Sequence, residues 1–426
     1  MFGFFASQEK KMRENAANWL ELADKVWNFR RDRLSEKDAA ELRLKRDELR
    51  TQLDERADAA KLKLGIEQLE EILRRTGGAI YPKSALVENV EFFLVAALVI
   101  LGIRTYFVQP FKIPTNSMWP TYNGMTPEAF RSPSDEPGLA AKVVRFVAFG
   151  ALTRRVDSPA DGEVLIPLTG SSEQAWVPSA NVPGKSWLIF PTTLKEYTLY
   201  VDGKPARLTV PMDFDFEWAV RDAFFSSDQP SRESARTDLA RVAAKPDALI
   251  KDAEGRIFLR TGKQVKRGER AMAFDILTGD QLFVDRMSYH FTRPNVGSGF
   301  VFRTGNIEGI SSVFGDQYYI KRLVGTPGDT LTLKDHTLFR NNAPITGSEA
   351  FDKNARQADR YPGYRNSGHL SVGSVLTVPA HHYFAMGDNS PNSADGREWG
   401  FVPGKDVVGR PMVVYYPFTK HFGPAR

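Results

Sequence analysis

The 426-residue sequence contains no cysteine, which excludes disulfides, thiol catalysis and Cys-type zinc sites. No Walker loop, GxGxxG, HExxH or GxSxG elbow occurs either. The six histidines are His290, His336, His369, His381, His382 and His421. The adjacent pair His381–His382 would face opposite ways on a strand, so it cannot chelate one metal. No basic block with interleaved aromatics is present, and a net charge of +5 from 57 basic and 52 acidic residues is mild. Nucleic acid is therefore not an expected partner, and the small positive excess suits a solvated surface near anionic lipid. The opening MFGFFASQEKKMREN has too short an apolar run for a cleavable signal peptide.

What is present begins with helix. Residues 8 to 76 read as helical, with Trp19, Leu22, Val26 and Phe29 spaced for one face. SEKD at 35–38 fits a capping box with Ser35 as N-cap. Leu62, Ile66, Leu69 and Leu73 form a second stripe, and Gly77-Gly78 stops the helix. Acids and bases alternate between these positions, so residues 1–84 are expected to form a charged helical hairpin or coiled-coil arm. Such an arm either packs on itself or serves self-association or docking of a cytoplasmic partner.

VEFFLVAALVILGIRTYFV (90–108) follows. At about 1.5 Å per residue its length approaches a hydrocarbon slab of about 30 Å. Glu91 and Arg104 near its ends can reach headgroups, and Tyr106 and Phe107 suit an interfacial belt. A transmembrane helix is expected within 85–108. Arg74, Arg75 and Lys83 before the span, against Arg104 and Lys112 after it, favour a cytoplasmic N-terminus.

Beyond the span the texture is β. Short β-branched and aromatic runs, punctuated by Gly, Pro and Asp, occur at 162–168, 197–210, 256–262, 280–289, 299–305, 318–325 and 329–335. Asp202-Gly203 is a hairpin signal. FEWAVRDAFF (216–225) reads as the one clear helix of this part, with Asp215 as N-cap. The fold class is mainly antiparallel β, with an N-terminal α-helical arm and one transmembrane helix.

Three segments carry candidate chemistry. IPTNSMWPTY (113–122) holds Ser117 between Pro114 and Pro120; alone, such a serine is a turn residue. YYIKRLVGTPGD (318–329) places Lys321 between Tyr319 and Leu323 on one strand face. An amine desolvated there has its pKa lowered, and when neutral it can act as general base toward a serine hydroxyl. MGDNSPNSADGREWGFVP (386–403) reads as an ordered loop in which Asp395 and Arg397 could pair, with Arg322 a second candidate partner for Asp395.

Together with GDQLFVDRMSY (279–289), these blocks resemble the bacterial type I signal peptidases, the membrane-anchored Ser–Lys endopeptidases. The resemblance covers the span and about 200 residues, in four blocks in family order. It implies that Ser117 attacks the scissile carbonyl and Lys321 takes its proton. The Ser117 N–H and the Thr115 hydroxyl would bind the oxyanion. Ser393 would help orient the lysine, and Asp395, Arg397 and Arg322 would form an ion-pair scaffold. Ile113, Pro114, Tyr318, Tyr319 and Ile320 would bind substrate by β-addition.

The implied substrates are signal-peptide-bearing preproteins with small residues before the cut, and no metal or cofactor is implied. The implied location is the inner membrane in a single pass, with residues 109–426 forming an extracytoplasmic catalytic domain in contact with lipid. A catalytically silent, membrane-anchored scaffold on the same fold is the alternative. Three departures from the pattern stand out: an 84-residue charged helical arm before one span where the best-known Gram-negative members have two spans, an insertion at about 126–275, and Asn116 where a glycine is common.

Overall fold

The computed structural model describes residues 8–81, 85–186, 190–225 and 232–425; residues 1–7 of the opening segment and Lys83 lie outside the described residues. The chain divides into two compact units, Met1–Leu101 and Gly102–Arg426.

The first unit holds three helices where a hairpin was expected: α1 (Gln8–Arg30), α2 (Glu36–Asp54) and α3 (Ala59–Thr76). Ser35 caps α2 as the sequence suggests, its side chain accepting from the Asp38 N–H at 3.1 Å. The extra break comes from Asp58, which accepts the Lys61 N–H at 2.8 Å and so starts α3. Leu62, Ile66, Leu69 and Leu73 are buried as the spacing requires, and Gly77 ends the helix. The first stripe is shifted: α1 buries Ala16, Leu20, Ala23 and Val26, while Phe29 is exposed. Small alanines let α1 approach its neighbours closely, and an aromatic-weighted reading of periodicity overlooks them. A fourth helix, α4 (Ala85–Tyr106), is long and apolar enough to cross a membrane, and none of its residues is buried. It starts five residues before the apolar run quoted above and ends before Phe107, whose carbonyl accepts the Arg286 N–H at 3.0 Å.

The second unit is built on one antiparallel sheet. In spatial order its strands are Val108–Lys112, Gln281–Asp285, Val407–Tyr416, Gly299–Arg303, Tyr318–Gly325, His382–Met386 and Val402–Pro403, with Gly423–Pro424 also on Val407–Tyr416. Three of the four sequence blocks supply strands to this sheet or the loop joining its outer strands, so it collects residues distant in sequence. Met118 and Tyr122 insert into its core beside Ile113, Leu282, Val284 and Val414.

The segment between Thr126 and Leu277 folds into three further sheets, of six, three and two strands, with their own core, which includes Val164, Leu199, Leu208, Phe214, Phe216 and Phe274. Its central hairpin turns at Asp202 and Gly203, both at positive φ, the geometry for which that dipeptide is favoured. Asp215 caps α6 (Phe216–Val220), accepting the Trp218 N–H at 3.1 Å. That helix is not alone, as the sequence had suggested. Leu139–Phe149 forms α5, Ala235–Ala243 forms α7, and Glu349–Ala355 is helical as well. α5 lacks a side-chain N-cap, so its start is unmarked, although Gly150 at positive φ closes its C-terminal end in the usual way.

Leu69→Ala should remove a fully buried side chain from the three-helix unit at a cost of about 2–5 kcal/mol. Native-state hydrogen exchange should quicken in α1–α3 and stay unchanged in the Gly102–Arg426 sheet; unchanged protection in α3 would contradict this core.

Candidate active site

The loop from Ile113 to Met125 carries Ser117 and is fastened along its length. The Ile113 N–H donates to the Asp280 carbonyl at 2.9 Å, and the Met125 N–H to the Pro114 carbonyl at 3.1 Å. Asn116 is the inner staple. Its Nδ2 donates to the Met125 carbonyl at 2.7 Å, and its Oδ1 accepts the Gly124 N–H at 2.9 Å. Gly124 is required there: a Cβ would stand 2.2 Å from the Thr115 carbonyl carbon. The asparagine in place of glycine thus turns its side chain into the loop and closes it. From the far side, Asn389 donates its N–H to the Ser117 carbonyl at 3.0 Å and its Nδ2 to the Asn116 carbonyl at 2.9 Å.

Lys321 reaches this loop from the middle of Tyr318–Gly325. Its Nζ lies 2.5 Å from Ser117 Oγ, and the residues are 4% and 8% exposed. Tyr319 shares its face, with the ring centre 5.7 Å from Nζ. Burial pulls the amine down to about 8, against an opposing pull from Asp395. Among the described residues the Ser117 backbone N–H has no acceptor, and neither does the Thr115 hydroxyl, which is exposed.

The charged scaffold differs from the sequence expectation. Arg322 pairs with Asp388, not with Asp395: Nε–Oδ1 is 2.7 Å and Nη2–Oδ2 2.6 Å, with both side chains essentially inaccessible. Burial works against the guanidinium, but Asp388 outweighs it and raises its pKa. Arg322 also donates to the Gly297 carbonyl at 2.6 Å, and Asp388 accepts a short hydrogen bond from Thr121 of the serine loop. Asp395 instead pairs with Arg397, at 2.7 Å, as the sequence suggested. Arg322 and Lys321 are neighbours on a strand and point to opposite faces, which is why one arginine cannot serve the lysine-side carboxylate. Ser393 donates to Asp395 at 2.9 Å, and among the described residues no hydrogen bond joins it to Lys321.

Sequence reasoning passed over Asp388, Thr121 and Asn389. Asp388 and Asn389 open a polar loop in which several residues could have paired, and nothing in a single sequence ranks them. Asp280, in the 279–289 block, accepts the Asn123 N–H at 2.8 Å and pairs with His421 Nδ1 at 2.7 Å beneath the loop.

A groove of about 480 Å³ opens on the pair. One wall is Phe111–Ser117 and Tyr318–Lys321; the other includes Lys195, Tyr197, Asp213 and Arg236 of the 126–275 segment. That segment also touches the loop directly, with Trp119 and Trp218 edge to face at 5.7 Å. A larger cavity of about 1300 Å³, lined by Asn306, Arg340 and His381 among others, contains neither Ser117 nor Lys321. Along the groove Tyr318–Lys321 is paired on one side with Gly299–Arg303, while pairing to His382–Met386 begins only at Arg322. One edge of Tyr318–Lys321 is therefore free of a described strand.

The family profile of signal peptidase, peptidase S26, matches residues 256–416. Signal peptidase I of Bacillus licheniformis is 34% identical over 143 residues, covering 33% of this chain and 70% of that protein. The chain belongs to the type I signal peptidase family. Probable signal peptidase I-1 of Synechocystis is 28% identical over 142 residues, 33% of this chain and 65% of that relative. The match to signal peptidase I of Leptolyngbya laminosa covers 62% of it, so in these two relatives the chain spans slightly less than two thirds of their length. A Staphylococcus aureus relative named inactive signal peptidase IA is 28% identical, covering 72% of its length. Among solved structures, a signal peptidase I of Enterococcus faecalis matches 28% of this chain and 97% of its own at 28% identity, with a TM-score of 0.22. The profile match begins near the end of the 126–275 segment, and most of that segment lies outside it.

Asp388→Asn should leave the Arg322 guanidinium buried without a counter-charge, lowering unfolding free energy by about 3–5 kcal/mol in this signal peptidase family member. In denaturant titration, Arg322→Met with Asp388→Leu should recover much of the loss; a single variant as stable as the parent would show the pair to be incidental.

Proposed function

We propose that this chain is a membrane-bound serine endopeptidase that removes signal peptides from exported preproteins, with Ser117 as nucleophile and Lys321 as general base. The observation that carries this reading is the buried 2.5 Å contact between Lys321 Nζ and Ser117 Oγ. The name of the inactive S. aureus relative shows that family membership alone does not establish activity. Both members of the pair are present here, which favours the enzyme over a silent scaffold.

In the proposed reaction Ser117 Oγ attacks the scissile carbonyl carbon as its proton passes to neutral Lys321 Nζ. The carbonyl oxygen, now an alkoxide, would be held by the unengaged Ser117 N–H and the Thr115 hydroxyl. Collapse breaks the C–N bond, and the lysine proton goes to the leaving amine. Water, deprotonated by the same amine, then releases the acyl group. Ser393 would act on Lys321 through Asp395, a supporting rather than a contacting role. The open edge of Tyr318–Lys321, facing Ile113–Pro114, suits an extended peptide added as a strand. Small side chains before the cut would suit a groove narrowed by the second wall.

α4 would span the inner membrane, with the helical arm on the cytoplasmic side as a docking or self-association element. The units would then be an arm to residue 84, the span to 108 and an extracytoplasmic catalytic domain to 426, with the 126–275 segment as an insertion.

Ser117→Ala and Lys321→Ala should each lower kcat/KM on an Ala-x-Ala precursor by more than about 10⁴-fold. Sequencing the new N-terminus checks the cut site, and a retained rate in either variant would remove the assignment.

The base must be neutral to accept a proton, so kcat/KM should rise with pH and reach half its plateau near 8, the value set by burial of Lys321. A plateau already reached at pH 6 would point to a different base.

A further inference from the structure

α5, Leu139–Phe149, is an amphipathic helix with its faces reversed for water. Its two charged residues are turned inward. Lys142 pairs with Glu136 at 2.9 Å, and Arg145 pairs with Glu128 and buried Asp275, both at 2.7 Å. Leu139, Val143, Val144, Phe146 and Val147 face outward, 49–81% exposed. A helix folding against water alone would place these the other way round, and a contiguous apolar patch of this kind marks an interaction surface.

The neighbourhood of α5 indicates what covers it. Its C-terminal turn is tied to the chain's last segment: Tyr416 Oη donates to the Phe146 carbonyl at 3.1 Å, and the Phe418 N–H to the Ala148 carbonyl at 3.0 Å. Phe418 and Phe422 lie there with rings 5.3 Å apart, both exposed. From that tail the strand Val407–Tyr416 leads back across the sheet. On its outer face Pro110, Phe283, Val413 and Pro424 stand in register on four adjacent strands, all exposed. Pro110 is three residues beyond Phe107, where the chain leaves α4. The apolar surface is thus continuous from the exit of the span to α5.

We propose that α5, with Phe418 and Phe422, is a second membrane contact: an interfacial helix lying in the lipid headgroup–acyl boundary on the same side as the exit of α4. It rests on the reading of α4 as a span. The inward ion pairs hold the cations away from the lipid core, while the outward aliphatics enter it to a depth of about 5–10 Å. The 126–275 segment, which also walls the groove, would then fix the catalytic unit's orientation to the bilayer.

The natural absence of cysteine allows a direct test on the full chain. Val95→Cys in α4, Val143→Cys in α5 and Val372→Cys, an exposed residue outside the apolar surface, are each labelled with a fluorophore in phosphatidylcholine–phosphatidylglycerol vesicles. Lipids carrying a doxyl quencher low on the acyl chain should quench the label at 95, and lipids carrying it on the upper acyl chain should quench the label at 143, both sparing 372. Adding Val144→Glu and Val147→Glu, both at exposed positions, should abolish quenching at 143 alone. Quenching at 95 with none at 143 would overturn the inference. Quenching at 143 without quenching at 95 would sustain α5 as a lipid contact while removing the span.

Discussion

The arrangement of the site depends on one buried ion pair. Arg322 and Asp388 join three segments that are remote in sequence: the lysine strand, the 386–403 loop through Asp388 itself, and the serine loop through Thr121. Taking two charges out of water is expensive, and net stabilisation from such a pair is small. Its value is directional. A bidentate guanidinium–carboxylate contact fixes the strand against the loop, and Asn389, the next residue, then meets the Ser117 and Asn116 carbonyls. The separation of Nζ and Oγ is therefore set by charges that belong to neither residue.

Lys321 sits on the opposite strand face, and there the requirement is reversed. Burial lowers its amine to about 8, and Arg397 takes up the nearby Asp395 carboxylate that would pull it back up. Adjacent residues on one strand thus carry opposite assignments, one held protonated by a carboxylate and the other pushed toward neutrality by desolvation. The two-residue period of a strand makes this possible: one step along the chain separates the environments completely.

Much of this was legible in the sequence, and what was not has identifiable causes. The strand runs, the Asp202-Gly203 turn and the caps at Ser35 and Asp215 depend on short-range chemistry and can be read directly. Ser117 and Lys321 were singled out by the resemblance of four blocks taken together, since each alone reads as an ordinary turn serine or strand lysine. The Asp388 partnership was misassigned to Asp395 because both lie in one polar loop, and partner choice there is decided by which strand face each arginine occupies. The third helix of the N-terminal unit hid behind alanines and a single capping aspartate. α5 has a legible apolar stripe but no side-chain N-cap to mark its start, and the direction that stripe faces is a tertiary fact.

With no cysteine in the sequence and no histidine beside Ser117 among the described residues, nucleophilic chemistry at this serine would need another base. A histidine is close to neutral in water and can serve from an exposed loop, whereas a lysine is charged there and has to have its pKa lowered by its surroundings before it can take up a proton. A Ser–Lys pair is therefore not portable as a motif. It needs an apolar strand to carry the amine, a packed loop to cover it, and a scaffold of buried charges to hold that loop closed. Met118 and Tyr122 in the sheet core, Asn116 stapling Gly124, and the Arg322–Asp388 pair are those requirements met in residues far from the proton itself. Within this reading the lowered pKa of Lys321 is a property of its burial in the sheet rather than of the pair alone.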